Sequence, residues 1–146
     1  MPQTVLHATR TVALLAALLG CASVSASAQT PAPPAPLSAA DAKSLVGDWT
    51  IAAESPQGSL SFLLTIKTQG DKTVAEISSE IMALTTVTDI TKAGSDVMLR
   101  YSFDYQGNQV PTELTLSPAG DTLKAFFDFA GGAFTMPGTA TRKKAQ

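Results

Sequence analysis

Side chains suited to acid–base or nucleophilic work are few and scattered in this chain of 146 residues. Glu54, Glu76, Glu80 and Glu113 could pass a proton, but they lie on different apolar segments, without the paired placement that a two-carboxylate glycosidase uses. The one His is His7 and the one Cys is Cys21, both near the amino terminus. The rest of the chain therefore has no imidazole or thiol from which to build a metal site or a nucleophile–base pair. Ser and Thr are abundant, yet no G-x-S-x-G elbow occurs and no His is at hand as a base. Walker, dinucleotide and EF-hand patterns are missing as well. The expectation is a protein that is not an enzyme, with no catalytic residue, no metal and no cofactor.

Aromatic residues are the other chemistry-bearing set. Tyr101, Phe103, Tyr105, Phe62, Phe127, Phe129, Phe134 and Met136 recur on apolar faces and either line a ligand cavity or fill a core. Ligand-binding positions are expected at Tyr101, Phe103, Tyr105, Phe62, Phe127 and Met136. Within that set Tyr101 and Tyr105 are the sharpest, because an inward phenol needs a hydrogen-bond partner that a ligand could supply. Arg100, Asp104 and Asp128 have the opposite parity and are expected to face outward as a ladder of cross-strand charges.

The elements that carry these residues are read from periodicity and turn chemistry. Strands are predicted at Asp48 to Glu54, Ser59 to Gln69, Thr73 to Glu80, Leu84 to Thr91, Asp96 to Tyr105, Gln109 to Ser117, Thr122 to Phe129 and Ala133 to Arg142. Turn residues separate most of them, as in Ser55-Pro56-Gln57-Gly58, Gly70-Asp71-Lys72, Gln106-Gly107-Asn108 and Gly131-Gly132. Alternation is strongest at Leu60, Phe62, Leu64 and Ile66, at Val97 to Tyr105, and at Leu123, Ala125, Phe127 and Phe129. It is diluted in the third and fourth segments by Glu76, Thr85, Thr86 and Thr88, with a bulge expected between Glu80 and Leu84. Short connections leave no room for crossover helices, so the fold class is all-β: an antiparallel up-and-down barrel of eight strands, the first pairing with the last to remove both edges. Ahead of it, Leu37 to Asp41 opens a short helix with Ser38 and Asp41 at capping-box spacing and Gly47 as its stop, covering one end of the barrel.

The amino terminus has the order of a secretory signal: Arg10, an apolar run from Thr11 to Gly20, then small residues ending Ala26-Ser27-Ala28. The run is too short to span a bilayer, which takes about 20 apolar residues. Cleavage after Ala28 divides the chain into a signal peptide over 1–28, a Pro/Ala-rich tether over 29–36 and a barrel domain over 37–146. Leu18-Leu19-Gly20-Cys21 offers the alternative, since it resembles the lipobox of bacterial lipoproteins and would make Cys21 a lipid anchor. The chain is thus expected to be exported, to the periplasm or beyond, or membrane-anchored through Cys21. From Gln29 onward nine cations face twelve carboxylates, a net charge of −3. The one basic cluster, Arg142-Lys143-Lys144, is too small to track a phosphate backbone, so nucleic acid is not an expected partner. No disulfide can support the exported domain.

Gly47-Asp48-Trp49, at the junction of helix and first strand, resembles the G-x-W motif of the lipocalin and wider calycin families, and Arg142 matches the basic residue that packs over that Trp. The resemblance implies a structural trio of Gly47, Trp49 and Arg142 and a barrel that holds a small apolar or amphipathic ligand. The same region is similar to a small domain of bacterial secreted proteins, through Gly47-x-Trp49, Ser55-Pro56-Gln57-Gly58, Leu64-x-Ile66, Gly120-Asp121 and Arg142-Lys143. It also looks like the periplasmic metalloprotease inhibitors, though it lacks their cysteine pair. Two functions follow: a non-catalytic envelope protein binding a small apolar molecule inside its barrel, or a filled barrel acting through its surface as a protein-binding module or protease inhibitor. A monomer is expected, with no transmembrane span after signal removal.

Overall fold

The computed structural model describes residues 33–144. His7, Cys21, both cleavage motifs and the tether up to residue 32 lie outside the described residues. Ten strands run through the rest: β1 (Ala35–Pro36), β2 (Gly47–Ser55), β3 (Gly58–Gln69), β4 (Lys72–Ser79), β5 (Met82–Val87), β6 (Asp89–Ala93), β7 (Asp96–Tyr105), β8 (Asn108–Ala119), β9 (Thr122–Phe129) and β10 (Phe134–Arg142). They form one antiparallel sheet in the order β1-β6-β7-β8-β9-β10-β2-β3-β4-β5. The expected all-β, barrel-class architecture is present. The last strand does pair with the first long one, with Arg142 opposite Trp49 and Gly138 opposite Ala53, but the expected removal of both edges is not met: the sheet is a half-barrel with β1 and β5 at its edges.

The strand count differs from the expected eight. The fourth predicted segment breaks at Thr88 into β5, which pairs with β4 (Ala75 opposite Val87), and β6, which pairs with β7 (Asp89 opposite Arg100). One continuous stretch thus changes partner midway. Met82-Ala83-Leu84-Thr85-Thr86 has no apolar alternation to hold it to a single face, and the β4–β5 ladder slips register between Ile77 and Ser79. The predicted irregularity between Glu80 and Leu84 is present: Ser79 pairs with Met82 and Ile77 with Thr85, so Ala83 and Leu84 stand against Ser78 alone, next to a turn at Glu80-Ile81. The tenth strand is β1, set against Thr91 and Lys92. Pro36 has no N–H to give, which suits only an edge position.

The opening helix is also corrected. Asp41–Ser44 make a single 3-10 turn rather than an α-helix. The Asp41 N–H donates to Ser38 Oγ at 3.2 Å and the Ser38 hydroxyl donates to Asp41 Oδ2 at 2.8 Å, so the predicted pair does meet. The Ser38 hydroxyl, and then the Lys92 ammonium 3.2 Å away, hold the Asp41 carboxyl below its ordinary pKa. Extension fails because Leu45 and Val46 both donate to the Ala42 carbonyl, at 2.7 and 2.9 Å, and Gly47 at φ +132° turns the chain into β2. No helix among the described residues is long and apolar enough to cross a membrane.

Strand parity places Ile51, Phe62, Leu64, Ile66, Ile77, Leu99, Leu114, Leu116, Phe127 and Met136 in a fully buried interior. Hairpins alternate between two ends of the sheet. Gly70-Asp71, Gly94-Ser95 and Gly120-Asp121 turn at the end where Trp49 lies; the β2–β3, β4–β5, β7–β8 and β9–β10 connections turn at the other. Among the latter, Gln106 (φ 53°) and Gly107 (φ 82°) both adopt positive φ, the requirement of a type I′ turn matched to strand twist.

Candidate ligand-binding mouth

The two ends are built differently. At the first, Trp49 is buried at 4% exposure and its indole N–H donates to the Leu45 carbonyl at 2.8 Å. The Arg142 guanidinium lies over the indole, Cζ 4.3 Å from the ring centre, and donates to the carbonyls of Val46 (2.7 Å) and Ser44 (2.6 Å). Gly47 is required beneath it, since a Cβ there would sit 2.7 Å from Arg142 Nη1. The trio Gly47, Trp49 and Arg142 is therefore one contact, plugging this end of the sheet.

The interior above the plug is filled. Phe62 and Phe127 pack with ring centroids 4.5 Å apart, and Phe127 stacks on Phe129 at 5.7 Å. From Phe129 the aromatic column divides, edge-on to Phe103 at 6.1 Å and tilted against Phe134 at 5.9 Å. There packing stops. Phe103, Phe129, Phe134, Met136, Tyr105, Leu60, Val110 and Ile81, with the Ser55–Ser59 turn, line a cavity of about 440 Å³ at the second end. That volume falls within the roughly 300–1,000 Å³ usual for small-molecule sites. Three large apolar side chains stand exposed on its rim: Ile81 (40%), Phe134 (42%) and Tyr105 (45%).

The six expected ligand positions are thus divided among three places. Phe103, Tyr105 and Met136 meet at the cavity wall. Phe62 and Phe127, at 1% and 0% exposure, belong to the packed core beneath. Tyr101 packs against the core away from this wall; its hydroxyl oxygen is buried with no hydrogen-bond partner among the described residues, and burial pushes the phenol's pKa upward. Leu60, Val110, Ile81 and the Ser55–Ser59 turn were not singled out from sequence. Leu60 shares the face of Phe62 and was legible by parity; a turn residue such as Ile81 carries no periodic signal.

Outside the cavity, Asp89, Arg100, Glu113 and Asp128 stand opposite one another across β6 to β9. Arg100 Nε meets Glu113 Oε2 at 2.7 Å. Asp104 and Asp128 also accept backbone N–H groups, from Gly107 at 3.0 Å and from Gly132. Glu76 pairs with Lys67 at 2.7 Å, and Glu54 accepts the Ser59 hydroxyl at 3.0 Å. These carboxylates hold strands and turns; Glu113 and Asp128 are cross-strand neighbours, Glu113 engaged by Arg100 and Asp128 by the Gly132 N–H.

Fold and site together define a barrel-class antiparallel protein, plugged at one end by an indole–guanidinium pair and opening at the other onto an apolar cavity. No family model matches the chain, and neither a curated protein nor a solved structure matches it.

Proposed function

We propose that this is a non-catalytic, exported cell-envelope protein of calycin-like type that binds a small apolar or amphipathic molecule in the mouth of its barrel. The observation that carries the reading is the aromatic-walled cavity of about 440 Å³ whose rim leaves Ile81, Phe134 and Tyr105 exposed. An apolar wall open to water is unfavourable unless something covers it, at about 25 cal/mol per Å² removed from solvent. The G-x-W geometry with Arg142 stacked on Trp49 supports the calycin-like reading independently of the cavity. The amino-terminal export motif supports placement in the envelope, and Ala35–Pro36 pair with Lys92 and Thr91, on the side of the sheet toward the plugged end.

Native mass spectrometry of the purified protein against its denatured mass tests this, together with titration by an apolar fluorescent probe. A bound mass or a saturable signal that Phe134→Ser weakens is expected. A bare protein that takes up no probe would direct attention to the outer surface and to protein partners.

A further inference from the structure

The distribution of charge around the mouth goes further than its apolar wall. Each of the four connections at this end carries one carboxylate immediately before a cavity-lining residue: Glu54 before Ser55, Glu80 before Ile81, Asp104 before Tyr105, and Asp128 before Phe129. Three are fixed in place by the turns they hold: Asp104 on the Gly107 N–H, Asp128 on the Gly132 N–H and Glu54 on the Ser59 hydroxyl. Glu80 is exposed on its two-residue turn.

Cations are segregated to the other end. Of the nine Lys and Arg after Gln29, only Arg100 lies in the mouth half, and it is engaged by Glu113 at 2.7 Å. Lys43 stands on the 3-10 turn; Lys67, Lys72, Lys92 and Lys124 occupy strand ends near the opposite hairpins; Arg142, Lys143 and Lys144 follow from the plug. None of the four lines the cavity, but carboxylates on every connection of this end, with the cations at the other, bias the potential at the mouth toward a cation. The exposed rings of Tyr105 and Phe134 present faces that attract a cation and not an anion.

We infer that the mouth selects its occupant by charge, taking an amphiphile whose apolar tail lies in the aromatic cavity and whose head is cationic, and rejecting anionic amphiphiles of equal tail. The inference rests on the reading of the mouth as a ligand site, and the test separates the two. Three probes with one tail, decyltrimethylammonium, decanoate and decyl glucoside, are titrated calorimetrically into the full chain and its Glu80→Lys variant. At low salt the ammonium should bind at least about tenfold tighter than decanoate, a gap that closes near 1 M salt, where the screening length falls to about 3 Å. Glu80→Lys, which changes the local charge by two units, should narrow the gap at least threefold while leaving the glucoside affinity unchanged. If the glucoside binds but decanoate equals or exceeds the ammonium, charge selection is overturned and the ligand site stands. If none of the three binds, the ligand site itself is overturned.

Discussion

Arg142 lies with its Cζ 4.3 Å from the centre of the Trp49 ring and at the same time donates to the carbonyls of Ser44 and Val46, while Trp49 donates to Leu45 between them. Three successive carbonyls at the end of the 3-10 turn are thus received by two side chains, one from the first long strand and one from the last. The last strand is locked to the first by this contact as well as by the β2–β10 ladder.

Trp49→Ala should therefore destabilise the protein by about 3–5 kcal/mol, the usual cost of emptying a buried aromatic site. Arg142→Ala should cost less, and Arg142→Lys should not restore the wild-type value, because one ammonium cannot stack and serve two carbonyls in a fixed fork. Urea denaturation measures both; a Trp49 variant within about 1 kcal/mol of wild type would refute the plug.

Glycine substitutions should separate flexible from rigid neighbours. A Cβ at Gly138 would lie 2.6 Å from the Ala52 carbonyl oxygen, a backbone atom held in the β2–β10 pair, whereas at Gly47 the nearest atom belongs to a long side chain but φ is +132°. Both Ala variants should be destabilised, by about 1–3 kcal/mol for the strained φ at Gly47. Only Gly138→Ala should also speed amide exchange along β2 and β10, and equal exchange in the two variants would contradict this.

Core and mouth should respond differently to truncation. Phe127, at 0% exposure and in contact with two rings, should cost about 3–5 kcal/mol as Phe127→Ala. Phe134→Ser, at a position 42% exposed, should change stability by less than about 1 kcal/mol yet weaken uptake of an apolar probe severalfold. Thermal melts paired with probe titration distinguish them, and a Phe134 variant with unchanged uptake would count against the mouth.

Alkaline pH should act through Tyr101. Burial favours its neutral phenol, so its folded pKa lies above the unfolded value of about 10. The sign follows from linkage: stability is full below about pH 10 and declines as pH rises beyond it, because only the unfolded chain releases that proton readily. Phenolate absorbance from Tyr101 should appear together with unfolding, and Tyr101→Phe should flatten the decline. Ionisation of Tyr101 with tertiary structure intact would show that the phenol is reached by water.

Local pattern carried much of the fold, because strand alternation and turn chemistry act over a few residues. Gly70-Asp71 and Gly94-Ser95 mark turns wherever they occur, and Leu60 to Ile66 has an apolar face in any sheet. The break at Thr88 was hidden for the converse reason: a Thr-rich stretch fits either neighbour, and its choice of β4 for one half and β7 for the other is made by the whole sheet. Likewise the spacing of Ser38 and Asp41 announced a turn, but its 3-10 form was set by Ala42 accepting from both Leu45 and Val46 and by Gly47 entering β2.

By itself the sequence determined an all-β chain, the turn positions other than Glu80-Ile81, and the lack of imidazole and thiol after Cys21, and its G-x-W resemblance pointed to Gly47, Trp49 and Arg142. Only the tertiary structure decided which aromatics face a cavity. Phe62, Tyr101, Phe103 and Phe127 share the same inward parity, and what separates floor, flank and wall is height along the barrel and the packing of neighbouring strands, both of which depend on register between residues far apart in the chain.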